Sequence, residues 1–449
     1  MADVGCSSKV ALRAADVAAT FRVRDGMYLI GSLERGLTVY SQQVRAHNLA
    51  WALWELSQRA HVKVGRVGVV GGGVAGLTVA ACLLARFDKS AEPVTVTIFE
   101  RLWDLCPLQQ GADSRWLHPR IYGWPDRGSR APGASLPVLN WSEGRASDVA
   151  GSIVREFGHY CQAFAKSEDR LQVFLGVKHF RIDSSKNLVE WIGSKSNRSG
   201  TFFHAGKMEG NSAPFDTIIL AAGFGIETRS EKYLTDSYWR NEQRGQPVLD
   251  GTRQTYVVSG FGDGALIDVC RLTIERFRQD TILYELFGND LETIESRLVD
   301  EFSLKPELNV FEFLKAREKD LLSATKDALA ARVRKDTLVT LHISGKNNAI
   351  HSFSQIFGPS SSFLNRLMVY LLYRCGAIGL SVADLDTTVA QVGAPHANVL
   401  CRYGTRTREH LSSIFVDARS ITKRLDEMEA NPAQAVRRFW EPGVFPPYS

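Results

Sequence analysis

The sequence predicts an α/β fold with a parallel sheet, and three adjacent stretches carry the prediction. Val67-Gly68-Val69-Val70 is β-rich and stops at the glycines Gly71 to Gly73. LTVAACLLARF follows and places Leu77, Ala80, Ala81 and Leu84 on one helical face. PVTVTIFE is then a second run rich in β-branched residues, the pattern of a strand buried on both faces. Strand, glycine turn, helix and strand in that order make a βαβ unit of the Rossmann-like kind.

Residues 1–63 precede this unit and read as a helical extension. Ser41 reads as an N-cap, and Val44, Leu49, Leu53 and Leu56 recur after it at helical spacing. Gln42, Gln43 and Arg45 make the start of that helix unusually polar. Such residues ordinarily cap and solvate; a second reading has them reach a ligand held by the glycine turn. After Glu100, the stretch from Arg101 to Glu143 is rich in Trp, Pro and Gly, and a long loop in a compact domain usually carries function. Ala146 to Ala165 reads as a helix, LQVFLGVKHFRID as a strand, and FDTIILAAG as a buried strand ending in small residues. QTYVVSGFGDG is another strand ending in glycines, continued by the helix ALIDVCRLTIERFRQD. From about Asp280 the chain reads as mostly helical, with strand-like runs at Thr337–Ile343 and Asn398–Tyr403.

Composition narrows the function classes. The 449 residues are 44% hydrophobic and 23% charged, which suits a folded chain of two or three domains. The net charge of +5 is mild and unclustered, so nucleic acid is not an expected partner. The seven cysteines, Cys6, Cys82, Cys106, Cys161, Cys270, Cys375 and Cys401, show no paired spacing. Neither a disulfide framework nor a zinc site is expected, and reduced thiols suit a cytoplasmic protein. Val64–Ala85 and Phe363–Leu380 are apolar, but the first carries glycines and Arg66 and the second Arg366 and Arg374. Both read as buried elements and not as membrane spans.

The strongest motif is Gly71-Gly72-Gly73-Val74-Ala75-Gly76, a GxGxxG set between a strand and a helix. Gly71 permits the tight turn, Gly73 lets a diphosphate approach the backbone, and Gly76 lets helix and strand pack closely. The diphosphate then meets free N–H groups at the helix start, where the helix dipole favours an anion. Glu100 closes the second strand, where a carboxylate accepts hydrogen bonds from ribose hydroxyls and repels a 2′-phosphate. The motif therefore points to FAD or NAD and away from NADP.

These residues resemble the glutathione-reductase-like superfamily of FAD-binding oxidoreductases, over roughly Val64 to Asp268. Four features carry the resemblance in order: GGGVAG; the strand end IFE with Arg101 after it; LQVFLGVKHFRID, similar to a family strand whose backbone faces the adenine, with His179 where valine is usual; and FDTIILAAGFG, similar to the family's ATG strand with Ala222 in place of threonine and Gly223 after it. The resemblance implies tightly bound FAD and a small-molecule substrate, with amines and amino acids the commonest kind. It also implies that Ser114 and Arg115 contact flavin or diphosphate, that Trp116, His118 and Tyr122 are the catalytic candidates, and that Trp124 lines the pocket with them. For each aromatic, plain loop packing is the competing reading. The resemblance divides the chain into 1–63, an FAD domain at 64–280 with an inserted segment at 101–212, and a helical part at 281–449 covering the flavin.

VVSGFGDGALID reads two ways. In one, Asp263 is the family's late FAD ligand on the ribityl chain. In the other, Gly260, Gly262 and Ala265 form a second nucleotide fingerprint for NAD(P)H. The first is favoured here, because no further strand set is evident after Asp280; NAD(P)H is then at most a transient reductant. Asn365 and Arg366 stand inside an apolar helix, where a buried arginine needs an anionic partner, internal or substrate-borne. With no paired redox cysteines, an oxidase, dehydrogenase or monooxygenase is expected before a disulfide reductase. A non-catalytic nucleotide-binding protein is the alternative class.

Overall fold

The computed structural model describes residues 13–33, 36–167, 169–223, 227, 230, 232–233, 236–241, 244, 246–247, 249, 251–303, 309–319, 322–343, 353–358, 361–430 and 437–448. The chain is mixed α/β with parallel sheets and a helix-rich C-terminal region. It divides into two compact units. The first comprises Met1–Leu117, Gly133–Gly225 and Arg406–Ser449; the second comprises His118–Pro132 and Ile226–Thr405.

The first unit is built on an eight-stranded sheet in the order Arg22–Arg24, Met27–Leu29, Thr217–Leu220, Arg66–Val70, Thr95–Phe99, Leu171–Asp183, Leu188–Lys195, Met208–Pro214. The five strands from Met27–Leu29 to the start of Leu171–Asp183 run parallel, and the outer ones are antiparallel. Alternate residues split between two cores. Val67, Val69, Val96, Ile98 and Ile219 join the helices Val39–Ser57, Val74–Arg86 and Ala146–Phe164. Val70, Phe99, Ile218 and Leu220 point the other way, to Leu411, Phe415, Ile421 and Leu425 of the last helical segment. That segment contains the helices Thr407–Ser413 and Arg419–Ala430.

The Val39–Ser57 helix starts one turn before the expected cap. Thr38 is the N-cap, and Ser41 is its partner in a reciprocal capping box. Its polar start is buried instead of solvated. Gln43 donates to the Leu139 carbonyl at 2.8 Å and accepts from the Trp141 indole at 2.6 Å. Asn48 accepts from the Phe439 N–H and donates to the Arg437 carbonyl, so the 437–448 segment lies along this helix. Residues 1–63 thus contribute a strand pair and a core helix to the first unit.

The second unit holds a four-stranded, all-parallel sheet in the order Ile378–Ser381, Thr337–His342, Gln254–Ser259, Val399–Cys401. Gln254–Ser259 therefore belongs to this sheet and not to the sheet of the first glycine turn, which differs from the boundary expected at Asp280. The region after Asp280 is helix-rich, as expected. Gln279–Phe287, Leu291–Ser303, Val310–Ala316 and Ser323–Ala330 all fall between the first and second strands. The Phe363–Arg374 helix connects the second strand to the third, and Leu385–Val392 connects the third to the fourth. Numbered along the chain, these strands lie in the order 3-2-1-4. The parallel strands Leu171–Asp183, Thr95–Phe99, Arg66–Val70 and Thr217–Leu220 of the first unit share that order, which begins the 3-2-1-4-5-6 order of a doubly wound sheet. Among the described residues no helix is long and apolar enough to cross a membrane.

Candidate functional site

Each unit carries a glycine turn at the end of its first strand, and the two turns match by register. Val70 pairs with Phe99 on one side and Leu220 on the other; Ser259 pairs with His342 and Cys401. The Gly71 N–H donates to the Phe99 carbonyl at 2.8 Å, and the Gly260 N–H to the His342 carbonyl at 3.1 Å. Gly71 and Gly260 have φ of 113° and 138°, a region that only glycine occupies at little cost. A Cβ on Gly71 would lie 2.3 Å from the Ala221 carbonyl oxygen, and one on Gly260 would lie 2.5 Å from that of Arg402. Each first glycine is thus required by its own fold.

Gly73 and Gly262 are different. Their φ values are −77° and −82°, and a Cβ on either would meet nothing within 4 Å. Nothing within the described chain requires glycine at these two places. Each is the N-cap of a helix, Val74–Arg86 or Asp263–Thr273, with free N–H groups ahead of it. The space that a side chain would fill lies at the helix start, where a phosphate group fits.

The first turn is backed by Glu100. One carboxylate oxygen accepts from Gly72 N–H at 2.7 Å and the other from Leu102 N–H at 2.8 Å. A carboxylate oxygen has a second lone pair, so both retain capacity for a ribose hydroxyl. Burial raises the Glu100 pKa, and the two backbone N–H groups oppose that rise. The helix that follows has no acidic residue in its first turn. Gly76 is strict, since a Cβ there would sit 2.0 Å from the Gly71 carbonyl oxygen. Val74 and Ala75 form the first helical turn, and Ala222 and Gly223 follow the Thr217–Leu220 strand beside Gly71, Gly223 with φ 62°. These residues come together around the first turn. Val177 N–H donates to the Glu100 carbonyl, and Cys106 N–H donates to the Gly72 carbonyl. Ser32 and Gln42 reach the same sheet edge through the Gly223 and Gly31 carbonyls. Sequence reading missed Val177 and Ser32, which no local motif marks; Gln42 was noted for its polarity, with a reach to the turn's ligand as the second reading.

Other expected residues fall elsewhere. His179 lies beyond the parallel part of its strand, on the antiparallel extension opposite Ile192, with its side chain exposed. Arg101 and Ser114 are exposed, whereas Arg115 is buried. Trp116 lies in a short strand paired with Gly144–Arg145 in the first unit. His118 and Tyr122 belong to the second unit, so the structure does not gather the three catalytic candidates within one unit. The His118 Nδ1 accepts from the Arg120 and Ile121 N–H groups at 3.2 and 3.1 Å, and the ring also bonds the Arg130 backbone. Burial lowers its pKa. Both of its ring nitrogens hold the loop in place, which leaves none for a general base. Tyr122 packs against the second unit's core, and Trp124 donates its indole N–H to Glu295 at 2.7 Å.

Asp263 bonds within the second unit. It opens a helix in the second unit, with its carboxylate turned onto Ser362 N–H at 2.8 Å and onto the Asn365 amide. It ties two helix starts of the second unit together. Arg366 donates to the Phe357 and Gly358 carbonyls at 2.9 and 3.1 Å, which anchors it within the second unit. Arg402, beside the second turn, is paired to Asp268 at 2.7 Å and Glu227 at 3.0 Å. Among the described residues no cluster of His, Cys, Asp and Glu suits a metal ion.

No protein-family model and no curated protein matches the chain. Among solved structures, it is similar to a polycyclic ketone monooxygenase from the thermophilic fungus Thermothelomyces thermophila, at 16% identity over 59% of this chain with a TM-score of 0.27. The chain spans 42% of that protein. It is also similar to a lysine monooxygenase from Nocardia farcinica, at 12% identity over 82% of this chain and 86% of that one, with a TM-score of 0.30. Likeness this distant has no bearing on what the chain binds.

Proposed function

We propose that the protein is an FAD-dependent oxidoreductase that takes electrons from a reduced nicotinamide dinucleotide, with FAD at the Gly71–Gly76 turn and the dinucleotide at the Gly260–Ala265 turn. The observation that carries the proposal is the pair Gly73 and Gly262, glycines that neither backbone angle nor packing requires. A ligand pressed against the backbone at both helix starts accounts for them. The first turn suits FAD because Glu100 offers its remaining lone pairs to an unphosphorylated ribose.

The chain's own residues bind and orient. Backbone N–H groups of Val74, Ala75 and Gly76 at the helix start would hold the diphosphate, and the dipole of the thirteen-residue helix would add to their pull. Glu100 fixes the ribose and at the same time holds the turn to the second strand through Gly72. In the second turn, Asp263 would repel a phosphate, but its charge is committed to Ser362 and Asn365 and opposed by Arg366. A bound flavin supplies hydride acceptance and, once reduced, reaction with dioxygen. A second nucleotide-type turn favours a monooxygenase reduced by NAD(P)H over an oxidase reduced by its substrate. A small amine or amino acid remains the proposed substrate class.

The test is anaerobic. Purified protein with FAD is mixed with NADPH or NADH, and flavin absorbance is followed. Bleaching by a dinucleotide without substrate supports the reading. Flavin that stays oxidised with both dinucleotides, and bleaches only with an amine, would replace it with the oxidase reading.

A further inference from the structure

Three register-equivalent positions differ in kind between the two turns. In the first unit they are Val70, Phe99 and Ala222, all apolar. In the second they are Ser259, His342 and Tyr403, joined in one hydrogen-bonded chain. The Tyr403 hydroxyl lies 2.9 Å from Ser259 Oγ, which lies 2.7 Å from His342 Nδ1; His342 Nε2 lies 2.8 Å from the Ala383 carbonyl. Ser259 and His342 are buried, whereas Tyr403 is 47% exposed at the sheet edge beside the turn.

The chain has one consistent polarity. A carbonyl only accepts, so His342 Nε2 carries the proton and Nδ1 is the acceptor. Burial lowers the pKa of His342, which keeps the ring in this neutral form. Ser259 must then donate to Nδ1, and its oxygen accepts from Tyr403. The phenol has one proton and has given it inward. Toward any further partner, its oxygen can act only as an acceptor.

The second turn needs such an acceptor. Its counterpart to Glu100 is Ile343, one residue past His342, so the second strand offers no carboxylate to a ribose. Tyr403 stands on the opposite side of the turn, after the fourth strand. In a dinucleotide fold of this strand order, the adenosine half lies toward the second strand and the other half crosses toward the fourth. We propose that the Tyr403 hydroxyl, oriented by Ser259 and His342, accepts a hydrogen bond from the ribose on the non-adenosine half of a dinucleotide bound at Gly260–Ala265. This rests on the reading of that turn as a nucleotide site.

The experiment uses full-length protein saturated with FAD, so that the first turn is filled. Binding of NADPH, NADH and ADP is measured by calorimetry for wild type, Tyr403→Phe and Ser259→Ala. Loss of one hydrogen bond raises a dissociation constant about threefold to tenfold. Both variants should show that rise for the dinucleotide that wild type binds, with ADP binding unchanged, because ADP lacks the second ribose. Unchanged dinucleotide affinity in both variants overturns the assignment of Tyr403. An equal loss for ADP and dinucleotide also overturns it, since that marks a general disturbance of the turn. If wild type itself binds no dinucleotide, the reading of the second turn fails before Tyr403 is at issue.

Discussion

Replacing Gly73 with valine should separate folding from binding. A Cβ at Gly73 meets nothing within 4 Å, and φ −77° with ψ −179° is extended backbone open to any residue. The entropy gained by removing a glycine from the unfolded chain, about 0.4–1 kcal/mol, is offset by the poorer N-cap that valine makes, so apo stability should change by no more than about 1 kcal/mol. The same side chain fills the place where a diphosphate would lie. Displacing the phosphate from even one backbone N–H costs about 1.5–3 kcal/mol, the range for hydrogen bonds to a charged group. The dissociation constant for FAD should rise at least about tenfold to a hundredfold. Gly71→Ala is the contrasting variant. Its φ of 113° and a carbonyl oxygen 2.3 Å from the new Cβ make the damage structural, so apo stability should fall with binding. Thermal denaturation of the apo protein and flavin titration of both variants give the four numbers needed. A Gly73→Val protein that binds FAD like wild type would refute the argument that this space is kept for a ligand.

Gly262→Val should likewise leave flavin content and stability intact while abolishing bleaching by the dinucleotide; a variant reduced at the wild-type rate would show that the second turn is not where the dinucleotide sits. Burial raises the Glu156 pKa to about 7, so the folded state favours its protonated form. The stabilisation is complete below the unfolded carboxyl value and is lost as pH rises through about 7. Wild type should thus lose melting temperature between pH 5.5 and 8 relative to Glu156→Gln, and parallel curves would count against this. Burial lowers the His47 pKa to about 4, so its contribution is full above the unfolded value near 6.5 and is lost as pH falls toward 4. That shift amounts to about 3 kcal/mol of acid sensitivity, which His47→Gln should remove in urea titrations at pH 7 and pH 4.

The first turn was legible because its signals are contiguous: strand, glycines, helix and second strand run in under forty residues, and Glu100 closes them. The second turn has the same parts scattered. Among the described residues five α-helices separate Gln254–Ser259 from Thr337–His342, and its third strand, Ile378–Ser381, is short and contains a glycine. A periodicity scan sees isolated strands there and no sheet. Ile343 in place of a carboxylate removed the one residue that would have marked the second strand end. Asp263 is ambiguous in sequence for a chemical reason: aspartate at a helix start serves a ligand or a neighbouring helix equally well, and its Ser362 and Asn365 contacts lie about a hundred residues away. The buried polar residues of Val39–Ser57 were read as solvated because their partners, Leu139, Trp141 and the 437–448 segment, are remote in sequence.

The last helices of the chain have a further consequence, in the order of synthesis. The first unit's sheet is finished in sequence once Thr217–Leu220 has emerged, yet the face bearing Phe99, Ile218 and Leu220 is covered by Leu411, Phe415, Ile421 and Leu425. All of the second unit from Ile226 to Thr405 leaves the ribosome between those two events. At about 5–20 residues per second, the apolar face stays bare for roughly ten to forty seconds. Over that interval the nascent chain presents a chaperone with a β-surface that the mature protein never shows, and a stop codon just before Thr407 would make that exposure permanent.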